Sequence, residues 1–222
     1  NLGNISLKAL RNDTINAQIK RFSVDEQSGL ELRILNMKIL GTDNNMTIEN
    51  FDVGMPGTLL KMDTLRMSYD SLGSFNNFVQ DVNFFFRMLS SFITLQDISP
   101  FVPVLVSLTE TLNLELDANG TIDQLKCRRL FIRSNNQLRI IGNVELRDLS
   151  DPENAFIFGN LTNLSVNKEG IDFLVRNFSK NYSETPPILS RLGNTAFNGE
   201  ITGYITDLVT YGTLRTDLGT IK

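Results

Sequence analysis

Apolar and polar residues alternate along most of this chain, which is the two-residue period of strands that bury one face. The clearest block predicts four long strands, over residues 111–117, 121–134, 137–149 and 155–167. Asn119-Gly120 predicts one of the turns between them, since both residues tolerate a positive φ. A strand over residues 137–149 would span about 43 Å, more than most strands in globular domains. The pattern therefore predicts an elongated sheet.

The first third of the chain repeats the alternation but switches its phase twice. The apolar positions are Leu30 and Leu32, then Leu35, Met37 and Ile39 on the opposite phase, and likewise Leu60 and Met62, then Leu65, Met67 and Tyr69. One extra residue in a strand moves all later side chains to the other face, so each switch predicts a β-bulge. Bulges bend strands, and the predicted sheet is therefore curved. Further strands are predicted at 195–206 and 208–216.

Three stretches have the spacing of amphipathic helices, at about 74–93, 100–108 and 170–180. The first has a plausible N-cap in Ser74 and is rich in phenylalanine. We expect Phe78, Val82, Phe85 and Leu89 to be buried against the sheet. Contact with a membrane surface, or with a lipid held by the sheet, are alternative roles for this helix. A short helical turn is also predicted at 187–192, after Pro186-Pro187.

The composition excludes several classes of function. The chain has 222 residues, a net charge of −4 and a pI near 5.0, which argues against a nucleic-acid-binding surface. It contains no histidine, so a Ser-His-Asp or Cys-His arrangement is excluded. Its one cysteine, Cys127, lies in a predicted strand and is expected to be a small buried hydrophobic residue.

The sequence offers little catalytic chemistry. No phosphate-binding loop, dinucleotide-binding fingerprint, zinc-binding motif or nucleophile elbow occurs in it. Asp148 and Asp151 fall at a strand end, and Asp43 falls in an Asp/Asn-rich hairpin loop, where turn geometry favours these residue types. We therefore expect no enzymatic activity, no catalytic residues, no cofactor and no metal. The residue pattern favours a surface over a reaction centre.

The candidate site is an apolar surface formed by three predicted strands. Its residues are Leu112, Leu114 and Leu116 on one strand, Ile140, Val144 and Leu146 on a second, and Ile201 and Ile205 on a third. If neighbouring strands pair, these faces join into one groove. We expect residues 1–222 to form a single elongated β-rich domain that is a segment of a longer protein, because a strand pattern runs up to both termini.

Three stretches of the chain resemble a known family. Residues from Leu112 to Leu125 (LNLELDANGTIDQL) resemble its recurrent strand–turn–strand unit, with Asp117-Ala118 in place of the usual L-x-G. Residues from Gly142 to Pro152 (GNVELRDLSDP) resemble its "G-x-x-x-L-x-x-L-x-D-P" strand end. Residues from Phe197 to Leu208 (FNGEITGYITDL) and Leu214 to Gly219 (LRTDLG) resemble its terminal hairpin. The family is the AsmA/TamB-like group of envelope proteins, in the form found in Bacteroidetes.

This resemblance implies a periplasmic β-sheet folded into an open half-pipe, or β-taco, with an apolar groove. It implies a membrane-anchored protein, tethered to the inner membrane by a segment outside this chain, and contact with an outer-membrane barrel protein through other parts. The implied partner in the groove is a phospholipid or another lipid. The implied function is lipid transport between the membranes, within outer membrane biogenesis.

Two alternatives stay open at this stage. The first is an outer-membrane-protein assembly factor that binds its clients by adding a strand to the sheet edge. The second is a structural or adhesive surface module, for which an elongated β architecture serves equally well. A lipid conduit needs a contiguous apolar groove that is open to a ligand, whereas an adhesive module would bury that face between two sheets.

Overall fold

The computed structural model describes residues 4–11, 14–25, 31–98, 110–135, 137–151, 154–178, 184–204 and 207–222. These residues form one antiparallel sheet of thirteen strands, in which each strand pairs with the next one along the chain. The sheet is open, because the strand order runs from the first strand to the thirteenth without closing. The predicted fold class, a mainly β protein with an open antiparallel sheet and a few short helices, is confirmed.

Twelve strands are eight to twelve residues long, and the thirteenth has three. They are β1 Asn4–Arg11, β2 Thr14–Asp25, β3 Glu31–Gly41, β4 Asn45–Met55, β5 Thr58–Ser68, β6 Asn83–Thr94, β7 Thr111–Gly120, β8 Gln124–Ser134, β9 Leu138–Arg147, β10 Phe156–Val166, β11 Thr195–Tyr204, β12 Asp207–Thr216 and β13 Gly219–Ile221. Hydrogen bonding between so many neighbouring strands satisfies the backbone N–H and C=O groups of the paired residues.

Short helices connect some of these strands. A 3₁₀ helix, Leu72–Asn77, and a single turn of α-helix, α1 Phe78–Asp81, join β5 to β6. A second 3₁₀ helix, Leu95–Ile98, follows β6. Between β10 and β11 lie α2 Lys168–Phe178 and α3 Pro187–Ser190. The helix predicted at 170–180 is present in its described part as α2, whereas the helix predicted at 100–108 lies outside the described residues.

The long helix predicted at 74–93 is wrong. Only the 3₁₀ helix and α1 form at its start, and residues from Asn83 to Thr94 are strand β6. The predicted buried face is therefore divided. Val82 is fully buried and Phe78 half-buried, but Phe85 and Leu89 are exposed. A bulge in β6 explains the error: apolar positions two apart up to Met88 are followed by a step of three to Ser91, and such a mixture imitates helical spacing.

The bulges predicted from the two phase switches are present. The pairing of β2 with β3 shifts between Leu35 and Leu32, and the pairing of β5 with β6 shifts between Met62 and Leu65. Further strands carry an extra residue near their middle, at 20–21, 50, 89–90, 128–129 and 162–163. Arg21 and Asn50 have the positive φ values, 54° and 53°, that such insertions require.

These irregularities lie side by side across the sheet and form what we call the bulge line. Asn36, whose side-chain oxygen accepts a hydrogen bond from Arg21, pairs with Asp52; Asp52 pairs with Lys61, and Lys61 with Leu89. The line continues past the bulges of β8 and β10 as three glycines, Gly142, Gly199 and Gly212, in strands that have no extra residue. Because each bulge bends its strand, a line of bulges folds the sheet into a trough whose axis crosses the strands.

Candidate functional site

One row of side chains runs across the sheet and defines the floor of the trough. Directly paired residues of antiparallel strands point to the same face. From β2 to β12 this row consists of Ala17, Ile39, Ile48, Leu65, Phe86, Ala118, Cys127, Val144, Gly159, Ile201 and Thr210. Eleven strands at about 4.8 Å spacing make this row about 48 Å long. We call the side of the sheet that carries it the apolar face.

No Asp, Glu, Lys or Arg stands at a paired position of the apolar face along the described strands β2–β12. The neighbouring rows continue the same chemistry. On one side they contain Met46, Met67, Phe84, Leu125, Leu146 and Ile157, and on the other side Met88, Leu116, Leu130 and Leu161. Polar positions on this face are serines and threonines, such as Thr58, Ser134 and Thr195 near strand ends and Thr210 in the floor row.

The opposite face of the sheet carries the charges. Its ion pairs join neighbouring strands, for example Lys38 Nζ to Glu49 Oε2 at 2.8 Å and Arg87 Nε to Asp117 Oδ1 at 3.1 Å. Glu145 forms ion pairs with Arg147, Nη2 to Oε1 at 2.6 Å, and with Lys126, Nζ to Oε2 at 3.2 Å. Hydrogen bonds from these two cations lower the pKa of its carboxyl. The cations of these pairs are solvent-accessible and the carboxylates are partly so, and each pair therefore contributes little to stability. Their effect is to mark this face as the one that water solvates.

Two groups of side chains cover part of the apolar face, at its two opposite rims. At one rim Phe75, Phe78 and Val82 pack on Ile48 and Met67, and we call these three residues the phenylalanine cover. The rings of Phe78 and Phe84 meet edge to face with their centroids 5.3 Å apart. At the other rim Phe173 and Leu174 of α2 pack against Leu95 and Leu112. The strand residues in the same two hydrophobic clusters lie on β3–β7.

The apolar face is open at its C-terminal part. A cavity of about 550 Å³ lies on β10–β13 and is lined by Leu164, Phe197, Ile201, Gly212, Leu214 and Ile221, among others. Its size falls within the range of small-molecule sites in proteins. Ile201 and Leu214 are half-buried, and Ile221 is 63% exposed. An apolar concavity with exposed walls is the expected form of a surface that accommodates an apolar ligand.

The structure brings the predicted site residues together on this face. Leu114 pairs with Ile132, and Ile132 pairs with Ile140, so two of the three predicted strands share a row. Val144 and Ile201 stand in the floor row, and Leu146 stands in the next row. Leu112 lies beneath α2, Leu116 pairs with Met88, and all seven described residues are half-buried. Ile205 lies outside the described residues. That these residues form a lipid path stays a prediction.

Sequence reasoning missed several members of the apolar face. Phe84, Phe86 and Met88 were assigned to a helix, although their spacing of two is that of a strand. Leu125, Leu130 and Ile132 of β8 were not selected, because the bulge at 128–129 breaks their alternation. The turns on both sides of β8 mark it as one strand, and Leu125 stands on a different phase from Leu130 and Ile132. The same change of phase within one strand predicts the bulges of β3 and β5, so it could also have predicted the bulge of β8.

The apolar face has few titratable groups. Cys127 is buried, as expected from the sequence, and burial raises the pKa of its thiol. Burial and the nearby Asp43 raise the pKa of Tyr69, whose hydroxyl donates a 2.8 Å hydrogen bond to the carbonyl oxygen of Thr42. Within the described ranges no three His, Cys, Asp or Glu residues stand close enough to hold a metal ion. Both titratable groups are therefore neutral near pH 7, which suits apolar contact rather than proton transfer.

Among the helices that the structure describes, none has the length and hydropathy needed to cross a membrane. Comparison of the chain with protein-family models, with curated proteins and with solved structures finds no match. The class of the protein is thus defined by its own geometry: an open antiparallel sheet, bent along a bulge line, with one apolar and one charged face.

Proposed function

We propose that this chain forms part of a passive path for lipid, in an envelope protein of the AsmA/TamB-like type. In this proposal the trough holds the acyl chains of a phospholipid or a similar lipid, and the charged face contacts water in the periplasm. Anchoring to the inner membrane and contact with an outer-membrane barrel protein belong to other segments. No chemical step is involved, since the lipid only moves along the floor of the trough.

The observation that carries this proposal is the uninterrupted apolar face. A floor of about 48 Å without a charged side chain would cost a monomeric protein solubility unless something apolar covers it. Most leucine and isoleucine side chains of the trough are half-buried, and transfer of the area they still expose from water to a lipid environment is favourable by roughly 25 cal/mol per Å² of buried area. A floor that is uniform along its length offers a lipid many equivalent positions, and no single position holds it tightly.

The experiment places a photo-crosslinking amino acid at position 140 of the protein in cells and identifies attached lipid by mass spectrometry. Ile140 is half-buried on the apolar face. The matched control is its neighbour Ile141, which is also half-buried but pairs with Phe131 on the charged face. We expect lipid on residue 140 and none on residue 141. Equal labelling at both positions, or no lipid at position 140, would refute the proposal.

A second variant tests transport directly. Ile140→Asp places a charge in the trough, where an open wall solvates it better than a sealed core would. We expect the full-length protein to lose lipid transport while its circular dichroism spectrum and most of its stability remain. Ile141→Asp is the control and should transport lipid normally. If Ile140→Asp unfolds the protein, the face is a closed core and no path exists.

A second candidate function rests on the free edge of β12. β13 pairs only with Leu214–Thr216, so residues 207–213 have β11 on one side and no strand on the other in the described chain. Val209 and Tyr211 are exposed there. An unpaired strand edge binds extended peptides by continuing the sheet, which is how an assembly factor would hold an unfolded client.

A variant with positive charges on the free edge of β12 distinguishes the two candidate functions. Val209→Lys together with Tyr211→Lys should prevent binding of an extended β-forming peptide, measured by fluorescence anisotropy, because edge lysines oppose strand addition. Lipid capture at position 140 should not change in this variant. The adhesive alternative would bury the apolar face between two sheets, whereas the described strands form one sheet.

A further inference from the structure

The charged face has one region where its ordinary charge pattern is reversed. Arg87 and Arg129, for example, both pair with Asp117 on the strand between them. At the ends of β8 and β9, Arg133 stands directly opposite Arg139. Like charges at directly paired positions destabilise a sheet. A region that departs from the charge pattern of its own face in this way is a candidate binding site.

A third arginine faces the same place. Arg139 is followed across the sheet by Ser165, Ala196 and Arg215, each paired with the next. Arg139 and Arg215 are therefore three strand spacings apart, about 14 Å, with two small residues between them. Arg139 and Arg215 border this short floor on its two sides. The small side chains of Ser165 and Ala196 leave the space between the arginines open.

This space is a cavity of about 690 Å³, lined by Phe131, Arg133, Arg139, Ser165, Ala196 and Arg215, among others. The guanidinium of Arg139 lies over the ring of Phe131, 5.8 Å from its centroid, which orients the cation without neutralising it. Among the ion pairs of the described residues, none includes Arg139 or Arg215. Both guanidinium groups can thus bind an anion.

One carboxylate also borders the cavity. Asp217 Oδ2 accepts hydrogen bonds from the backbone N–H of Asn194, at 2.9 Å, and from its side-chain amide, at 3.4 Å. This carboxylate is held by the loop before β11 and makes no ion pair with the arginines. Arg139 and Arg215 against this one carboxylate give the cavity a net positive charge, in a chain whose overall charge is −4. The net charge of the cavity is therefore opposite in sign to the net charge of the whole chain.

We propose that this cavity, on the face opposite the apolar trough, binds a phosphate-type oxyanion. The planar fork of arginine matches phosphate oxygens, and several forks around an open floor are a typical arrangement for that group. The phosphate can come from a free ion or from the headgroup of an anionic phospholipid. The site does not depend on the lipid path, because the two lie on opposite faces of the sheet.

The first experiment measures binding of inorganic phosphate to the 222-residue protein by isothermal titration calorimetry at low ionic strength. We expect saturable binding that weakens about tenfold or more when Arg139→Gln and Arg215→Gln are combined. Arg66→Gln is the matched control, since Arg66 also lies over a phenylalanine ring, at 5.9 Å, and is in no ion pair with another described residue. Binding by this control should equal that of the unchanged protein.

A second variant tests the site without removing an arginine. Ala196→Asp places a carboxylate on the floor between Arg139 and Arg215 and should abolish phosphate binding. This variant decides the matter if the double arginine variant fails to fold. Unchanged binding in Ala196→Asp, equal loss in Arg66→Gln, or no binding by the unchanged protein to either phosphate source would overturn the proposal.

Vesicles distinguish the source of the phosphate. Phosphatidylcholine vesicles with and without phosphatidylglycerol are floated together with the protein. If the headgroup is the ligand, the protein floats only with phosphatidylglycerol, the double arginine variant does not float, and Ile140→Asp still floats. If phosphate binds in calorimetry but the protein stays unfloated, the ligand is a free phosphate. Flotation that depends on Ile140 and not on the arginines would assign membrane contact to the trough.

Discussion

Neighbouring residues of this protein have opposite environments, and the three phenylalanines of β6 show this most directly. Phe84 and Phe86 point to the apolar face, whereas Phe85, between them, is 45% exposed on the charged face. Phe84 meets the ring of Phe78, and Phe85 lies under the guanidinium of Arg66. Three residues of one type thus have two different energetic roles, which are decided by the two-residue period of the strand.

This difference predicts the outcome of alanine substitutions at the two positions. Phe84→Ala should lower the free energy of unfolding by about 2 kcal/mol or more, because it removes packing against the phenylalanine cover. Phe85→Ala should lower it by less than about 1 kcal/mol, since only a cation–π contact and exposed area are lost. Urea denaturation of the two variants measures both values. Equal losses would show that β6 does not present alternate faces.

The reactivity of Cys127 tests whether the floor of the trough is buried at this position. Its thiol is buried and its pKa is raised above the ordinary value, so the thiolate is scarce at neutral pH. We expect iodoacetamide at pH 7.5 to label the folded protein many times more slowly than the urea-unfolded chain, as measured by mass spectrometry. Labelling of both forms at the same rate would place the thiol on an accessible surface.

Several strands of this protein combine regular alternation with a bulge, and the sequence allowed only some of these bulges to be predicted. The phase switches at Leu32–Leu35 and Met62–Leu65 predicted their bulges, because several apolar residues stand on each side of the switch. In β6 the serines at 90 and 91 leave the residues after the bulge without a clear apolar alternation. The pattern of β6 therefore imitates helical spacing instead of indicating a bulge.

The candidate site was predictable to a similar extent. Seven of its residues were selected from alternation within single strands, and they do share one face. Their arrangement in rows depends on the pairing register, which is changed by each bulge and therefore cannot be read from one strand alone. The turn after β7 also moved by a few residues: β7 continues through Gly120 and the connection falls at 121–123.

Glycine on the bulge line should be less replaceable than glycine elsewhere in the same pair of strands. A Cβ atom at Gly142 would collide with the carbonyl oxygen of Asn160 on β10. A Cβ atom at Gly159 would have Val144 Cγ2 as its nearest neighbour, at an ordinary 3.5 Å. We expect Gly142→Ala to destabilise the protein by about 1 kcal/mol or more, and Gly159→Ala to be neutral or slightly stabilising. Thermal unfolding of the two variants tests this, and the reverse order would show that the line is not a close backbone contact.

On the scale of the whole molecule, the sheet is a one-dimensional stack. Each strand pairs with its neighbours in sequence, and the hydrophobic clusters that contain the two covers draw their strand residues from β3–β7. Stability in such a stack is a sum of local interfaces rather than a property of one core. The strands in the clusters of the two covers have side-chain packing in addition to their hydrogen bonds. In contrast, the second edge of β12 is paired only at Leu214–Thr216, and most side chains of β12 and β13 are exposed.

Hydrogen exchange of the native protein should therefore be graded along the sheet. We expect the amides of β4–β6 to exchange most slowly and those of β12 and β13 to exchange fastest, with β8–β10 between them. Exchange followed by proteolysis and mass spectrometry resolves these segments. A single common opening free energy for all strands would mean that the sheet unfolds as one cooperative unit, contrary to this prediction.

The strict succession of strand pairs also has an evolutionary consequence. Because every connection joins adjacent antiparallel strands, a whole hairpin can be inserted or deleted without reversing the direction or the face of any other strand. Each such event changes the length of the trough by about 10 Å and leaves its cross-section unchanged. Duplication of two-strand units can therefore lengthen the trough, and with it the distance that the protein spans.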